Sequence, residues 1–457
     1  MKNILVIGAG RSSSSLINYL LENSSKENWK VTVGDVSIDL VKQKTNDHPN
    51  SKAIVFDVNN QQQREEEISK ADIVISMLPA FMHLNVAKDC IRFKKHLVTA
   101  SYVSKEMGDL NEEAKRSGII LLNETGLDPG IDHASAMKVI DKIHAQDGKI
   151  TSFKSYCGGL VAPEFNDNPW GYKFTWNPRN VVLAGQSTAQ YIEGGLYKYI
   201  PYNRLFTQIE HIDIAIPDAN NKLSNISFEG YANRDSLSYR KLYNIATIPT
   251  MLRGTLRMEG YCKAWNVLVK LGLTDDTYKI ESPQTLTYRE LLEAYLPAGK
   301  QSVKEKLIVF MGNEADAETI SKIEWLGIFE DKKIGIKNPA IQQAASPAEI
   351  LQELLEEKWK LTEHDKDMIV MQHQFEYMTS NKENKKINAT LVVKGENQMY
   401  TAMAKTVGLP LAIASKLILQ DKIKVRGVVI PTIKEIYEPL LAELELLGIK
   451  FEEQELI

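Results

Sequence analysis

The chain has 457 residues, 43% hydrophobic and 25% charged, with a formal net charge of −4. That length exceeds one core and predicts two or three well-filled globular domains, and the lack of a basic excess excludes a nucleic-acid partner from the expectation. Cys90, Cys157 and Cys262 lie far apart and the eight histidines show no ligand spacing, so neither a disulfide framework nor a metal site is expected.

Residues 1–130 alternate strand and helix signals. The apolar run NILVIGAG precedes the helix pattern SSSLINYLLENSS, and WKVTVGDV and AIVFDV (53–58) read as the second and third strands. REEEISKA, HLNVAKDCIRFKK and KEMGDLNEEAKRSG read as helices around the strands DIVISMLP, HLVTASY and IILLN. Strands apolar on both faces and separated by helices predict a parallel sheet covered on both sides. From about 150 the segments KITSFKSYCGG, IEHIDIAIP, ISFEGYANRD and TMLRGTLRMEGY alternate apolar and polar residues, as half-exposed strands of a mixed or antiparallel sheet do. Residues 283–358 are mostly helical by spacing. MIVMQHQFEYMT and NATLVVKGE then read as a hairpin, and helical patterns follow to the end. The expected division is a dinucleotide domain at 1–130, a sheet domain at 131–282 with 359–399, and a small helical insertion at 283–358. The helices of 400–457 are expected on or near the first domain. The opening MKNILVIGAG resembles no signal or transit peptide, and no apolar run reads as long as a membrane span. A cytoplasmic protein without membrane contact is expected.

Gly8-x-Gly10-x-x-Ser13 follows the first strand and opens a helix, and Asp35 lies 25 residues after Gly10 at the end of the second strand. This context predicts a Rossmann-type doubly wound sheet holding a dinucleotide. Gly8 permits the tight turn and Gly10 lets the backbone approach a pyrophosphate. The helix N-terminus, Ser12 and Ser13 offer donors to the phosphates. Asp57 and Val58, with Leu78 and Pro79, fall at the ends of the third and fourth strands, where adenine and ribose would lie. Asp35 is placed to accept hydrogen bonds from both ribose hydroxyls, and no Lys or Arg follows before Lys42. NAD is therefore expected over NADP, with Arg11 as the one nearby cation that could favour NADP. The segment NETGLDPGIDH (123–133) follows the sixth strand at its carboxyl end, where ligands of such sheets bind. A plain turn, with Asp128 capping the next helix and Pro129 at its first position, is the alternative reading.

Several stretches together resemble the saccharopine reductase family, the glutamate-forming saccharopine dehydrogenases. They are GAG at 8–10, FDV at 56–58, TASYVS at 99–104, NETGLDPGIDH, SYCGGLVAPEFNDNPWGYKFTWNPR at 155–179, YANRDSL at 231–237, RGTLR at 253–257 and AMAKTVGLPLAIASKLIL at 402–419. The resemblance implies a dinucleotide domain, a mixed α+β substrate and dimerisation domain, a small helical insertion and a homodimer. It also implies reduction, by nicotinamide hydride, of the imine between L-glutamate and 2-aminoadipate 6-semialdehyde to give saccharopine. On this resemblance Asp128, Tyr102 and Cys157 surround the reacting carbon, and Ser101 and Tyr102 hold the substrate backbone. A substrate with three carboxylates needs cationic clamps. Arg253, Thr255 and Arg257 share one face if RGTLR is a strand, Arg234 lies just past another, and Trp176 is placed to wall the cleft. His83 is read as supporting the cofactor loop, and His133 is given no role. Two other readings remain: a carboxynorspermidine-type dehydrogenase on the same fold, and a nucleotide-binding sensor without chemistry.

Overall fold

The computed structural model describes residues 1–184, 186, 188–218 and 222–456. The chain divides into two compact units, one of Met1–Thr151, Lys241–Ala246 and Met371–Ile457, the other of Ser152–Arg240 and Thr247–Val370. These limits differ from the boundaries expected at 130, 282, 358 and 399. The helix Ile131–His144 stays with the first unit because it packs there against the helix Lys434–Leu446, and both bury their apolar stripes in that contact.

The first unit is built on a parallel sheet. Its strands β1 (Lys2–Ile7), β2 (Trp29–Asp35), β3 (Ser51–Val55), β4 (Ile73–Ser76), β5 (His96–Thr99) and β6 (Ile120–Leu122) lie in the order β3-β2-β1-β4-β5-β6. The strand Gly427–Val429 joins in parallel at the β6 edge. Ile4 to Ile7, Ile73 to Ser76 and Ile120 to Leu122 are buried without interruption, as expected of strands covered on both faces. The order reverses between β1 and β4, and the crevice at such a switch point opens beyond the carboxyl ends of the strands.

The helix Ala402–Leu419 closes this unit. A Cβ added to Gly408 would come within 2.8 Å of Leu16 N and 3.2 Å of Ser12 O, so only glycine lets this helix lie against the Gly8–Ser13 turn and the helix Ser14–Glu22. Contrary to the expectation from sequence, this helix is by length and composition apolar enough to cross a membrane, but 78% of its apolar window is buried inside the structure. Its apolarity is that of a helix surrounded by protein.

The second unit carries β7 (Lys149–Val161, entering from the first unit), β8 (Ala189–Glu193), β9 (Leu196–Ile200), β10 (Ile209–Pro217), β11 (Leu223–Ala232) and β12 (Thr250–Met258). The sheet is mixed: β10, β11 and β12 pair antiparallel, and β12 pairs parallel with β7. The predicted helices of 283–358 form at Tyr288–Ala294, Val303–Met311, Ala317–Trp325 and Pro347–Lys358. Three begin with a reciprocal capping box, at Thr287/Glu290, Ser302/Glu305 and Ser346/Glu349, which fixes their starts locally. Trp170, Tyr172, Tyr261, Trp265 and Trp359 form a fully buried aromatic core, with ring centroids of Tyr172 and Trp359 5.1 Å apart.

Candidate active site

The glycine turn is shaped for a nucleotide. Gly8 has φ +103° and an added Cβ would meet Met77 O at 3.0 Å, so a side chain is excluded. At Gly10 an added Cβ would meet nothing within 4 Å: the space there is open, as a phosphate approaching the backbone requires. Ser13 differs from its expected role. It is fully buried and its hydroxyl donates to Gly10 O at 2.9 Å, so it braces the turn from inside. Ser12 is half-buried and Arg11 exposed. Asp35 holds the turn from the other side: Oδ2 accepts the Ala9 N–H at 2.7 Å and Oδ1 the Ser37 N–H at 3.0 Å.

Sequence reasoning looked for cations only as far as Lys42. Lys44, on the helix Ile38–Thr45, reaches back to Gly10 O and to Ser13 Oγ, 3.0 Å away. Burial lowers its ammonium pKa to about 8, while the Asp35 charge opposes the shift. The strand β3 ends at Val55, so Asp57 and Val58 lie in the turn beyond it, Asp57 exposed and Val58 buried. Leu78 is half-buried and Pro79 exposed. Two apolar residues escaped the sequence reading. Val36 and Phe81 are 73% and 79% exposed just past the ends of β2 and β4, at the same edge of the sheet. Val36 directly follows β2, and Phe81 lies in the turn Ala80–Met82 five residues beyond β4; these positions after the strand ends were the available signal.

His83 ties the strand ends together. Its Nδ1 lies 2.8 Å from Ser76 Oγ, and its Nε2 2.8 Å from Ser101 Oγ and 3.2 Å from Thr99 Oγ1. Burial pushes its pKa down to about 4. The folded chain thus excludes a proton that the unfolded chain binds near pH 6.5. The contribution to stability is complete above that pH and is lost as pH falls toward 4, at about 1.4 kcal/mol per pH unit. Between pH 7 and 5, urea unfolding should show the wild type losing about 2 kcal/mol more than His83→Gln. Equal losses would mean that His83 accepts the proton in the folded state.

The segment after β6 is held by backbone bonds from Glu124 N to Ser101 O and from Thr125 N to Thr99 O, both 3.1 Å. Gly130, at φ +147°, could carry no side chain, since a Cβ would lie 2.1 Å from Gly126 O. The next helix begins at Ile131 with Gly130 before it, so Asp128 and Pro129 are not its cap and first residue; the bond between them is cis. The half-buried Asp128 instead accepts a hydrogen bond on Oδ1 from Tyr102 Oη, at 3.3 Å. The structure therefore joins two of the three expected catalytic residues within the first unit.

In the second unit the register aligns Cys157 with Thr255, Ser155 with Arg253, Tyr231 with Thr255 and Glu229 with Arg257. Aligned residues on neighbouring strands point to one face, so Cys157, Arg253, Thr255 and Arg257 share a surface. Both arginines are buried, 4% and 3% exposed. The Arg253 guanidinium lies 4.5 Å over the Tyr239 ring, and that of Arg257 lies 5.1, 5.3 and 5.9 Å from the rings of Tyr172, Tyr261 and Tyr231. Arg257 Nη1 donates to Leu256 O, while its buried Nε has no hydrogen-bond partner among the described residues. Arg234 is exposed in a left-handed conformation, and Trp176, half-buried, donates from Nε1 to Tyr172 Oη at 3.3 Å. The thiol of Cys157 is buried.

A model of the saccharopine dehydrogenase NADP binding domain matches residues 4–122, and one of the saccharopine dehydrogenase C-terminal domain matches residues 126–449. The chain belongs to the saccharopine dehydrogenase (L-glutamate-forming) family. It is similar to the saccharopine dehydrogenase [NADP(+), L-glutamate-forming] of Pyricularia oryzae, 35% identical with 99% of each chain covered. It is 36% identical to the mitochondrial alpha-aminoadipic semialdehyde synthase of Rattus norvegicus over 100% of this chain and 48% of that one, so it spans about half of that relative. The solved apo saccharopine dehydrogenase (L-Glu forming) of Saccharomyces cerevisiae superposes with a TM-score of 0.87 at 34% identity, over 100% of both chains. The family thus supports a nicotinamide cofactor and the Rossmann-type α/β fold.

Proposed function

We propose that this chain interconverts saccharopine with L-glutamate and 2-aminoadipate 6-semialdehyde, using NAD. The observation that carries this reading is the hydrogen bond from Tyr102 to Asp128 beyond the carboxyl ends of β5 and β6. Bound nicotinamide supplies or takes the hydride. The chain's own residues move protons. In the hydrolytic direction a base takes a proton from the water that attacks the imine carbon. An acid then protonates the departing glutamate nitrogen as the carbinolamine collapses to the aldehyde. Asp128 is assigned the proton transfer and Tyr102 its orientation. Cys157 is assigned contact with the reacting carbon. Within the second unit Arg253, Arg257 and Arg234 are assigned the substrate carboxylates and Thr255 and Trp176 further substrate contacts; within the first unit Ser101 is assigned a substrate contact. A buried N–H without a partner, as at Arg257 Nε, is satisfied by an incoming carboxylate.

NAD is the finer reading of the cofactor. Relatives and the domain model carry NADP in their names, but here Asp35 is pinned at the end of β2 by two backbone N–H groups, and a 2′-phosphate there meets a like charge. Arg11 and Lys44 are the residues that would favour NADP. Activity is tested by absorbance at the reduced-nicotinamide band. Saccharopine should give a signal and carboxynorspermidine none; the reverse, or silence with both, overturns the proposal.

A further inference from the structure

The chemistry above leaves a buried cluster of titratable side chains around His133 unused. His133, fully buried in the first turn of the helix Ile131–His144, has Nε2 2.8 Å from Glu124 Oε2 and Nδ1 on the hydroxyl of Tyr243. Asp132 Oδ2 lies 3.5 Å from the same Nδ1. A carboxylate only accepts, so Nε2 carries the hydrogen of the bond to Glu124. The second oxygen of Glu124 accepts the Val103 N–H at 3.0 Å, and the N–H of Glu124 donates to Ser101 O at 3.1 Å. Glu124 is 4% exposed and has φ +53°, a conformation that a residue with a side chain keeps only when its surroundings hold it. Tyr102 thus stands between two residues that Glu124 fixes, and His133 fixes Glu124.

We propose that His133 is a positioning residue: through Glu124 it sets the backbone of 101–103 and so aims the Tyr102 hydroxyl at Asp128. The inference rests on the reading of Tyr102 and Asp128 as the proton-transfer pair, and it gives His133 no contact with substrate or cofactor. Displacing a catalytic group by about 1 Å can lower a rate by about 10²-fold, so a bond one residue away from Tyr102 has leverage on turnover.

Two substitutions separate positioning from bulk packing. His133→Asn withdraws the donor from Glu124, whereas the amide of His133→Gln reaches the place of Nε2. His133→Asn should lower kcat with saccharopine by about 10-fold or more, with the calorimetric Kd for NAD alone within about twofold, and His133→Gln should recover most of the rate. Amide exchange of Val103 should quicken by about 10-fold in His133→Asn and much less in His133→Gln. Should His133→Asn fail to fold, Glu124→Gln carries the same expectations, because an amide cannot accept both bonds at once. Wild-type kcat with wild-type Val103 protection would overturn the inference. So would equal damage in both His133 variants accompanied by loss of NAD binding, which marks a packing role. A wild-type protein inert toward saccharopine refutes the proposed function instead, and the Val103 exchange then judges this inference by itself.

Discussion

Asp128→Ala should lower kcat with saccharopine by about 10²-fold or more, while the circular dichroism and melting temperature stay close to those of the wild type. Asp128 is half-buried and its bond to Tyr102 Oη is long at 3.3 Å, so that one bond adds little to native stability. Asp128→Asn keeps an acceptor for Tyr102 and removes the exchangeable proton, so it should be nearly as slow. That agreement distinguishes proton transfer from simple orientation of Tyr102. Cys157→Ser should cost less than either. If Asp128→Ala turns over at the wild-type rate, the proton is moved by another group and the assignment fails.

The second large effect concerns the cofactor. Wild-type kcat/KM should favour NAD over NADP by at least about 10-fold, or about 1.4 kcal/mol, and Asp35→Ala should lose most of that margin. Because Asp35 also accepts the Ala9 N–H, the substitution loosens the glycine turn and weakens both cofactors. The ratio is therefore the diagnostic quantity, and Asp35→Asn, which keeps an acceptor without the charge, should shift the ratio with less general loss. A wild-type preference for NADP would mean that Arg11 and Lys44 outweigh Asp35.

Much of the first unit was legible in the sequence because its signals are local. Continuous apolar strands, the spacing from Gly8 to Ser13 and the acidic residue closing β2 are set within about 35 residues, and β1, β2 and β4 form where the runs predict. Features set by distant segments were not legible. Lys44 reaches the turn only because its helix packs beside it, and nothing in its spacing marks it. Alternation in RGTLR predicted that Arg253 and Arg257 share a face, but not that aromatic rings drawn from Tyr172, Tyr231 and Tyr261 would lie around the Arg257 guanidinium. The same limit hid His133: its partners Glu124 and Tyr243 are nine and 110 residues away, and the second distance has no sequence signature.

The contact of Gly408 with Ser12 and Leu16 also bears on the order of events during synthesis. The first 130 residues leave the ribosome with every strand of the nucleotide crevice in hand. Their sheet still lacks the edge strand Gly427–Val429, and the turn lacks the helix Ala402–Leu419 that backs it. Roughly 270 further residues must be made first, which at about 5–20 residues per second is some tens of seconds. During that interval the apolar wall around Leu16 has no cover from its own chain. Support of the glycine turn from behind therefore follows the synthesis of Ala402–Leu419, long after the strands of the nucleotide crevice have been made.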